Sequence, residues 1–311
     1  MSADEAMIVL DNVSKWYGNV IGVNKLTFEI GPGVTGLLGP NGAGKSTLLQ
    51  LLTGQLAPSQ GDLRVLGHKP WGNADLFRLI GLCPEQDAFY EWMPGYEFVL
   101  FAARLSGFSG KEAHEAALAA VELVEMTEHM GRPIKGYSKG MRQRIKIAQA
   151  VVHDPDVLFL DEPLSGTDPV ARRHLVDVIK ELARRGKSIV VSSHVLHEVQ
   201  GMTNNVVLLN RGRLVAVGDV RQIRDLIDNH PHRIAIISPE YRRLAAELLI
   251  HEDVVGVDVA PKNRSVVIET NAPDRFYSRL PELASRAETP IEEVYSDDDN
   301  LEAVFKYLVN Q

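Results

Sequence analysis

Short apolar runs alternate with longer stretches in which apolar positions recur about every 3.6 residues, a pattern that predicts strands separated by helices. Residues 34–38 and 156–160 are largely apolar and predict buried strands, and a glycine-rich loop at 39–44 separates the first of them from a helix that begins at Ser46. Further strands are predicted at 8–10, 26–30, 188–192, 206–209 and 213–216, and helices at 96–127, 139–152 and 170–184. Alternation of this kind favours an α/β fold.

The pattern changes near 228–232, which is rich in Asp, Asn, His and Pro and predicts a linker. The predicted order of elements beyond it is β-α-β-β-α-β, followed by a terminal helix. The strands are expected at 233–237, 254–259, 265–270 and 291–295, and the helices at 239–250, 274–286 and 301–309. We therefore expect a large domain at 1–227, with a helical subdomain at about 88–150, and a small α+β accessory domain of ferredoxin-like order at 228–311.

Composition narrows the class of protein. The chain has 311 residues, 45% hydrophobic and 24% charged, and this balance suits a globular protein with a sizeable core. Its net charge of −8 argues against nucleic-acid binding through a generally basic surface. Cys83 is the single cysteine, which excludes an internal disulfide and fits a reducing compartment. No apolar run approaches the roughly 18 residues of a membrane-spanning helix, so we expect any membrane role to come through a partner.

The glycine-rich loop carries the first chemical motif. Residues 39–46 read Gly-Pro-Asn-Gly-Ala-Gly-Lys-Ser and fit G-x-x-x-x-G-K-[ST]. In such a loop, backbone N–H groups cradle phosphate oxygens at a helix N-terminus. Lys45 would neutralise the β and γ phosphates, and the Ser46 hydroxyl would bind Mg²⁺. The alternative, a glycine turn without function, is disfavoured because an apolar strand precedes the loop and a second motif follows downstream.

The second motif is a pair of carboxylates at the end of an apolar strand. Asp161 and Glu162 follow residues 157–160, at the strand end where parallel sheets bind ligands. Asp161 suits Mg²⁺, usually through water, and Glu162 can polarise an attacking water as general base. A solvated acidic turn is the alternative, and the phosphate loop makes it the weaker interpretation.

Residues at about 1–225 resemble the ABC (ATP-binding cassette) ATPases, because further short motifs occur in the order of that family. Tyr17 matches the aromatic residue that stacks on adenine, and Gln86 matches the glutamine that contacts Mg²⁺ and water. His194 matches the switch histidine, which contacts the γ-phosphate. Ser138 and Gly140 fall in the family signature, and Asp168 in the D-loop. The resemblance implies a P-loop ABC ATPase core that hydrolyses ATP with Mg²⁺, with Lys45, Glu162 and His194 as catalytic residues. It assigns further nucleotide contacts to Asn41, Gly42, Ala43, Gly44, Ser46 and Thr47, and Mg²⁺ to Ser46, Gln86 and Asp161.

Two stretches depart from the commoner family pattern. Lys139 and Met141 replace Gly and Gln in the signature, while Ser138 and Gly140 are kept. The D-loop has Gly-Thr at 166–167 where Ala-Leu is usual. This signature is similar to that of exporter ATPases that pair with a separate six-helix membrane subunit.

The resemblance also implies partners. One chain holds one cassette, so we expect a dimer with a copy or close relative, in which Ser138 and Gly140 close on the partner's ATP. A separate transmembrane permease would hold the chain at the cytoplasmic face of the membrane. The cluster Phe89, Tyr90, Trp92 and Met93 suits a groove that grips an amphipathic helix of that subunit, or else a local cluster of the helical subdomain. The alternative function is a non-transport ABC ATPase acting on a soluble macromolecular partner.

Overall fold

The structure, a computed structural model, describes residues 6–225, 231–286 and 289–296. The chain divides into two compact units, Met1–Gly218 and Asp219–Gln311. This division comes earlier than the predicted boundary at 227, because a short helix before that point belongs to the second unit. The predicted linker at 228–232 lies outside the described residues except for Pro231 and His232.

The strands of the first unit form two sheets. Their bounds are β1 (Ile8–Tyr17), β2 (Val20–Ile30), β3 (Val34–Leu38), β4 (Gln60–Val65), β5 (Ile80–Cys83), β6 (Val157–Leu160), β7 (Ser188–Ser193), β8 (Asn205–Asn210) and β9 (Arg213–Asp219). One sheet has the order β5-β6-β7-β3-β8-β9, and its pairs from β5 through to β8 are parallel. The other has the order β2-β1-β4 and is antiparallel.

The first hairpin is longer than the sequence predicted. Strands were expected at 8–10 and 26–30, but β1 runs on to Tyr17 and β2 begins at Val20. Register shifts between Leu10 and Val13 and beyond break the two-residue alternation of apolar positions. A bulge of this kind interrupts the alternation of apolar and polar residues from which a strand is predicted.

The helices of the first unit are α1 (Lys45–Leu52), α2 (Gly95–Leu105), α3 (Gly110–Leu123), α4 (Lys139–Val151), α5 (Pro169–Arg184) and α6 (Leu196–Gln200). Helices α2, α3 and α4 pack on one another where the helical subdomain was predicted. Apolar positions at helical spacing, such as Val99 and Ala103, or Ala117 and Val121, are buried there. Among the described residues, no helix is long and apolar enough to cross a membrane.

The parallel strands place chemistry at one edge. β3, β6 and β7 are almost wholly buried, as expected of strands covered on both faces. The glycine loop follows β3, and Asp161 and Glu162 follow β6. His194 follows β7, and Pro84 and Glu85 follow β5. Since parallel strands present their carboxyl ends at the same edge, these groups meet there.

The second unit is a small α+β module. Its elements are α7 (Val220–Asp225), β10 (His232–Ile237), α8 (Tyr241–Leu248), β11 (Gly256–Ala260), β12 (Ser265–Thr270), α9 (Pro273–Arg286) and β13 (Glu293–Ser296). The antiparallel sheet has the order β11-β12-β10-β13, which is the ferredoxin-like arrangement that the sequence predicted. Helices α8 and α9 bury Leu244, Leu248 and Phe276 against it. The terminal helix predicted at 301–309 lies outside the described residues.

Candidate functional site

The loop between β3 and α1 folds around its own lysine. The Nζ of Lys45 donates to the carbonyl oxygen of Gly39 over 2.8 Å, and the side chain is buried. Gly44 has φ of 105°, and a Cβ there would lie 2.6 Å from the carbonyl oxygen of Gly22. Glycine is therefore required at position 44 both by the left-handed backbone and by the space. The loop encloses the point where α1 begins, with the lysine ammonium inside it.

An open cavity of about 440 Å³ lies over this loop. It is lined by residues 41–47, by Ile21 and Gly22, and by Glu85, Glu162 and His194. The volume falls within the range of pockets that take small molecules, roughly 300–1,000 Å³. A cation, a helix N-terminus and carboxylates thus face the same space, which suits a polyphosphate with a hard metal ion.

Glu162 is held in an unusual backbone conformation. Its φ is 48°, in the left-handed region that residues with a side chain seldom occupy. Its N–H donates to the Oγ of Ser192 over 2.9 Å, and that hydroxyl donates to Oδ1 of Asp161 over 2.5 Å. Ser192, the last but one residue of β7, therefore fixes the turn after β6, and strain of this kind is typical of functional positions.

The carboxylate of Glu162 is buried between two cationic or polar groups. Oε2 lies 2.9 Å from Nδ1 of His194, and Oε1 lies 3.6 Å from Nζ of Lys45. An ionised carboxylate only accepts, so the histidine Nδ1–H is the donor. The structure therefore brings together the three residues that the sequence assigned to catalysis.

Tyr17 lies next to the cavity and is separate from the loop and the carboxylates that line it. Its hydroxyl is 3.4 Å from Oγ1 of Thr47. The Nζ of Lys15 lies over the ring, 5.8 Å from its centroid. The residue is 44% exposed. The ring thus lies next to the phosphate loop, near enough for a base to stack on it.

The predicted metal residues are only partly assembled. Ser46 lines the cavity, but Asp161 and Gln86 do not. Asp161 lies behind Glu162, bonded to Ser192, and Gln86 is exposed outside the cavity. Glu85, the residue before Gln86, lines the cavity.

Ser138, Gly140 and Asp168 lie at the starts of two neighbouring helices, away from this cavity. Ser138 Oγ accepts from the N–H of Met141 at the start of α4. Asp168 caps α5, and the N–H groups of Ala171 and Val170 lower the pKa of its carboxyl. The two departures from the family pattern are in contact, because a Cβ on Gly166 would lie 2.9 Å from Cδ of Lys139.

The aromatic residues after Glu85 divide into two groups. Tyr90 and Trp92 are 50% and 70% exposed, and Tyr90 also stacks edge-on against the exposed Phe101 with centroids 6.1 Å apart. Phe89 instead packs on Phe98, with centroids 5.1 Å apart, and Met93 is half-buried. We call Tyr90, Trp92 and Phe101 the aromatic surface.

Comparison with known proteins adds family information. A family model described as ABC transporter matches residues 23–165, a segment that holds the glycine loop, Glu85 and Glu162. YxlF of Bacillus subtilis, an uncharacterised ABC transporter ATP-binding protein, is 37% identical over 219 residues, covering 70% of this chain and 72% of that protein. The daunorubicin/doxorubicin resistance ATP-binding protein DrrA of Streptomyces peucetius is 29% identical over 296 residues, covering 94% of this chain and 89% of that protein. A solved structure of the ATP binding subunit of an ABC transporter matches with a TM-score of 0.63 at 26% identity, covering 70% of this chain and 92% of that one.

Proposed function

The chain belongs to the ABC transporter family as an ATP-binding, ATP-hydrolysing subunit, and on this premise we propose that two copies enclose two ATP molecules and drive transport through a separate membrane subunit. The observation that supports this most is the buried contact of Glu162 with both His194 and Lys45 at the wall of the loop cavity. A general base, a γ-phosphate contact and a phosphate-binding cation are thereby within reach of one nucleotide.

In this proposal the phosphates of ATP bind along residues 42–47. Their oxygens accept from the loop N–H groups and from the Lys45 ammonium. The adenine stacks on Tyr17, which lies beside Thr47. Because Lys45 already lies inside the loop, little reorganisation is needed when the charge arrives.

The residues at the cavity fit Mg²⁺. The Ser46 hydroxyl and the Glu85 carboxylate are oxygen donors, which Mg²⁺ prefers, and Asp161 behind them suits contact through water. Within the described part of the chain, no three acidic, histidine or cysteine side chains form a cage for a metal. This agrees with an ion bound largely by phosphates and water, whose charge would neutralise the transferred phosphoryl group.

Hydrolysis in this proposal depends on Glu162. The carboxylate accepts a proton from the attacking water. His194 orients this carboxylate and contacts the γ-phosphate. Since the phosphates attract the Lys45 ammonium, one carboxylate oxygen becomes available to the water. Ser138 and Gly140, at the start of α4, would complete the partner's site, since helix N-termini favour anions.

The substrate is proposed to leave the cell. The resistance function in the name of DrrA, which the chain matches over most of its length, supports export. The aromatic surface is the proposed contact for an amphipathic helix of the membrane subunit, which would hold the chain at the inner face of the membrane.

Co-purification tests this function. We expect tagged chain, extracted from membranes in mild detergent, to bring down a multi-span protein in stoichiometric amount, identified by mass spectrometry. If ribosomal, DNA-bound or iron–sulfur cluster assembly proteins are recovered instead, the transport function is rejected and the ATPase assignment stands.

A further inference from the structure

The ring of Tyr17, the proposed contact for adenine, has close neighbours at its hydroxyl, at its edge and over its face. The hydroxyl lies 3.4 Å from Oγ1 of Thr47. A Cβ on Gly22 would lie 2.9 Å from Cε2 of the ring, so the ring packs closely against the backbone of β2. The Nζ of Lys15 lies over the ring, 5.8 Å from its centroid. The orientation of the ring is therefore constrained before a nucleotide arrives.

The lysine over the ring is itself tethered. The Nζ of Lys15 donates to the carbonyl oxygen of Ala57 over 2.8 Å, and the residue is half-buried. Ala57 lies in the segment that leads into β4, which begins at Gln60. An ammonium group has three N–H donors and a full positive charge, so one hydrogen bond to a carbonyl leaves the charge available to the aromatic ring.

The lysine and the cavity lie on different sides of β1. This strand is the middle one of its sheet, between β2 and β4. Ala57, which holds the ammonium, precedes β4, whereas the cavity is lined by Ile21 and Gly22 of β2. The ammonium therefore approaches Tyr17 from the β4 side and leaves the side toward β2 and the phosphate loop to a base.

The contact between Lys15 and Tyr17 depends on charge. A cation over an aromatic face is attracted by the electron-rich π system of the ring. It restrains the ring against rotation, so less conformational entropy is lost when a base stacks on it. The alternative interpretation of Lys15 is simple packing at a strand end. Packing alone would not require a positive charge and would not favour one part of a nucleotide over another.

We propose that Lys15 is a positioning residue for the base of ATP: it holds the Tyr17 ring from the β4 side, so that adenine stacks on the side toward the cavity. In this role Lys15 touches neither the base nor the phosphates. The inference rests on the proposed function, because it presumes that ATP occupies the cavity with its adenine on Tyr17. It predicts that Lys15 contributes to the binding of the base and not to the binding of the phosphates.

The test compares ATP with inorganic tripolyphosphate, which has the phosphate chain without the base. In the full chain with Mg²⁺, Lys15→Met should raise the Kd of ATP roughly two- to fivefold, the loss expected for a cation–π contact near the surface. The Kd of tripolyphosphate should stay unchanged, with both constants measured by displacement of a fluorescent nucleotide. Lys15→Arg should recover the affinity for ATP, since a guanidinium also binds an aromatic face.

Lys187→Met is the matched control. The Lys187 ammonium likewise donates to a backbone carbonyl, that of Asp154, over 3.0 Å, but Lys187 does not line the nucleotide cavity. This variant should change neither dissociation constant. Should Lys15→Met fail to fold, Lys15→Gln keeps a donor for Ala57 without the charge and should show the same selective loss of ATP affinity.

A double variant tests whether Lys15 acts through Tyr17. Tyr17→Ala alone should raise the Kd of ATP about tenfold, within the range of aromatic–base stacking. Adding Lys15→Met to it should then have almost no further effect, because the ring that the lysine holds is gone. Full additivity of the two changes, equal losses of ATP and tripolyphosphate affinity, or an ATP Kd that Lys15→Met leaves unchanged or lowers would overturn the proposal. An unaltered chain that binds neither ligand would reject the proposed function instead.

Discussion

Oε2 of Glu162 lies 2.9 Å from Nδ1 of His194, although the two residues follow different strands of the sheet. Glu162 is the second residue after β6, and His194 is the first residue after β7, which pairs with β6 in parallel. Adjacent parallel strands therefore bring the general base and its orienting histidine into contact. This relationship makes the charge on Glu162 the first quantity to test.

Glu162→Gln should bind ATP and hydrolyse it poorly. The amide keeps the shape of the side chain but cannot accept a proton, and general bases contribute roughly 10²- to 10⁴-fold. We expect kcat to fall by that amount and a dimer to accumulate with ATP, measured by phosphate release and light scattering. Glu181→Gln, which removes a charge from the exposed face of α5, should behave like the unaltered chain. A Glu162→Gln variant that stays monomeric with ATP would contradict the proposed mechanism.

Glu85→Gln and Gln86→Ala should differ in their metal dependence. Only Glu85 lines the cavity, so removing its charge should raise the Mg²⁺ concentration needed for half-maximal hydrolysis, by roughly tenfold or more. Gln86→Ala should leave the Mg²⁺ dependence unchanged. The measurement is ATPase rate against free Mg²⁺ at saturating ATP. If Gln86→Ala shifts the dependence and Glu85→Gln does not, the sequence-based assignment of Gln86 was right.

The aromatic surface should be needed for assembly with the membrane subunit and dispensable for ATP binding. Replacing Tyr90 and Trp92 by Ala removes exposed apolar area that contributes to docking, because buried aromatic anchors dominate many interfaces. We expect the double variant to lose co-purification with the membrane subunit while nucleotide binding persists. Trp71→Ala is the control, since Trp71 is 58% exposed elsewhere in the same unit. Intact assembly of the double variant would show that the pair is only a local cluster.

Cys83 should resist alkylation in the folded protein. Burial raises the pKa of its thiol to about 12, and the thiolate is the reactive form, so at pH 8 the group stays protonated and enclosed. We expect iodoacetamide to label it only after unfolding in guanidinium, as followed by mass spectrometry. Rapid labelling of the native chain at pH 8 would show that the end of β5 opens readily.

Most of the strands and helices, and the chemical motifs beside them, are local features of the chain. β3 and β12 match their predicted bounds, because short, largely apolar segments between turn residues specify strands locally. The glycine loop with Lys45, and the strand end with Glu162, are likewise local features of the chain. Their convergence at one edge follows from parallel pairing alone, so it too could be predicted.

Contacts between residues that are distant in sequence could not be predicted from local patterns. Lys146, which lies 61 positions beyond Glu85, donates from its Nζ to the carbonyl oxygen of Glu85. The bulges in β1 and the packing of Lys139 on Gly166 are set in the same way, by residues distant in sequence. Hydrophobic periodicity records which face of an element is buried, and it carries no information about which distant side chain donates to a given carbonyl group.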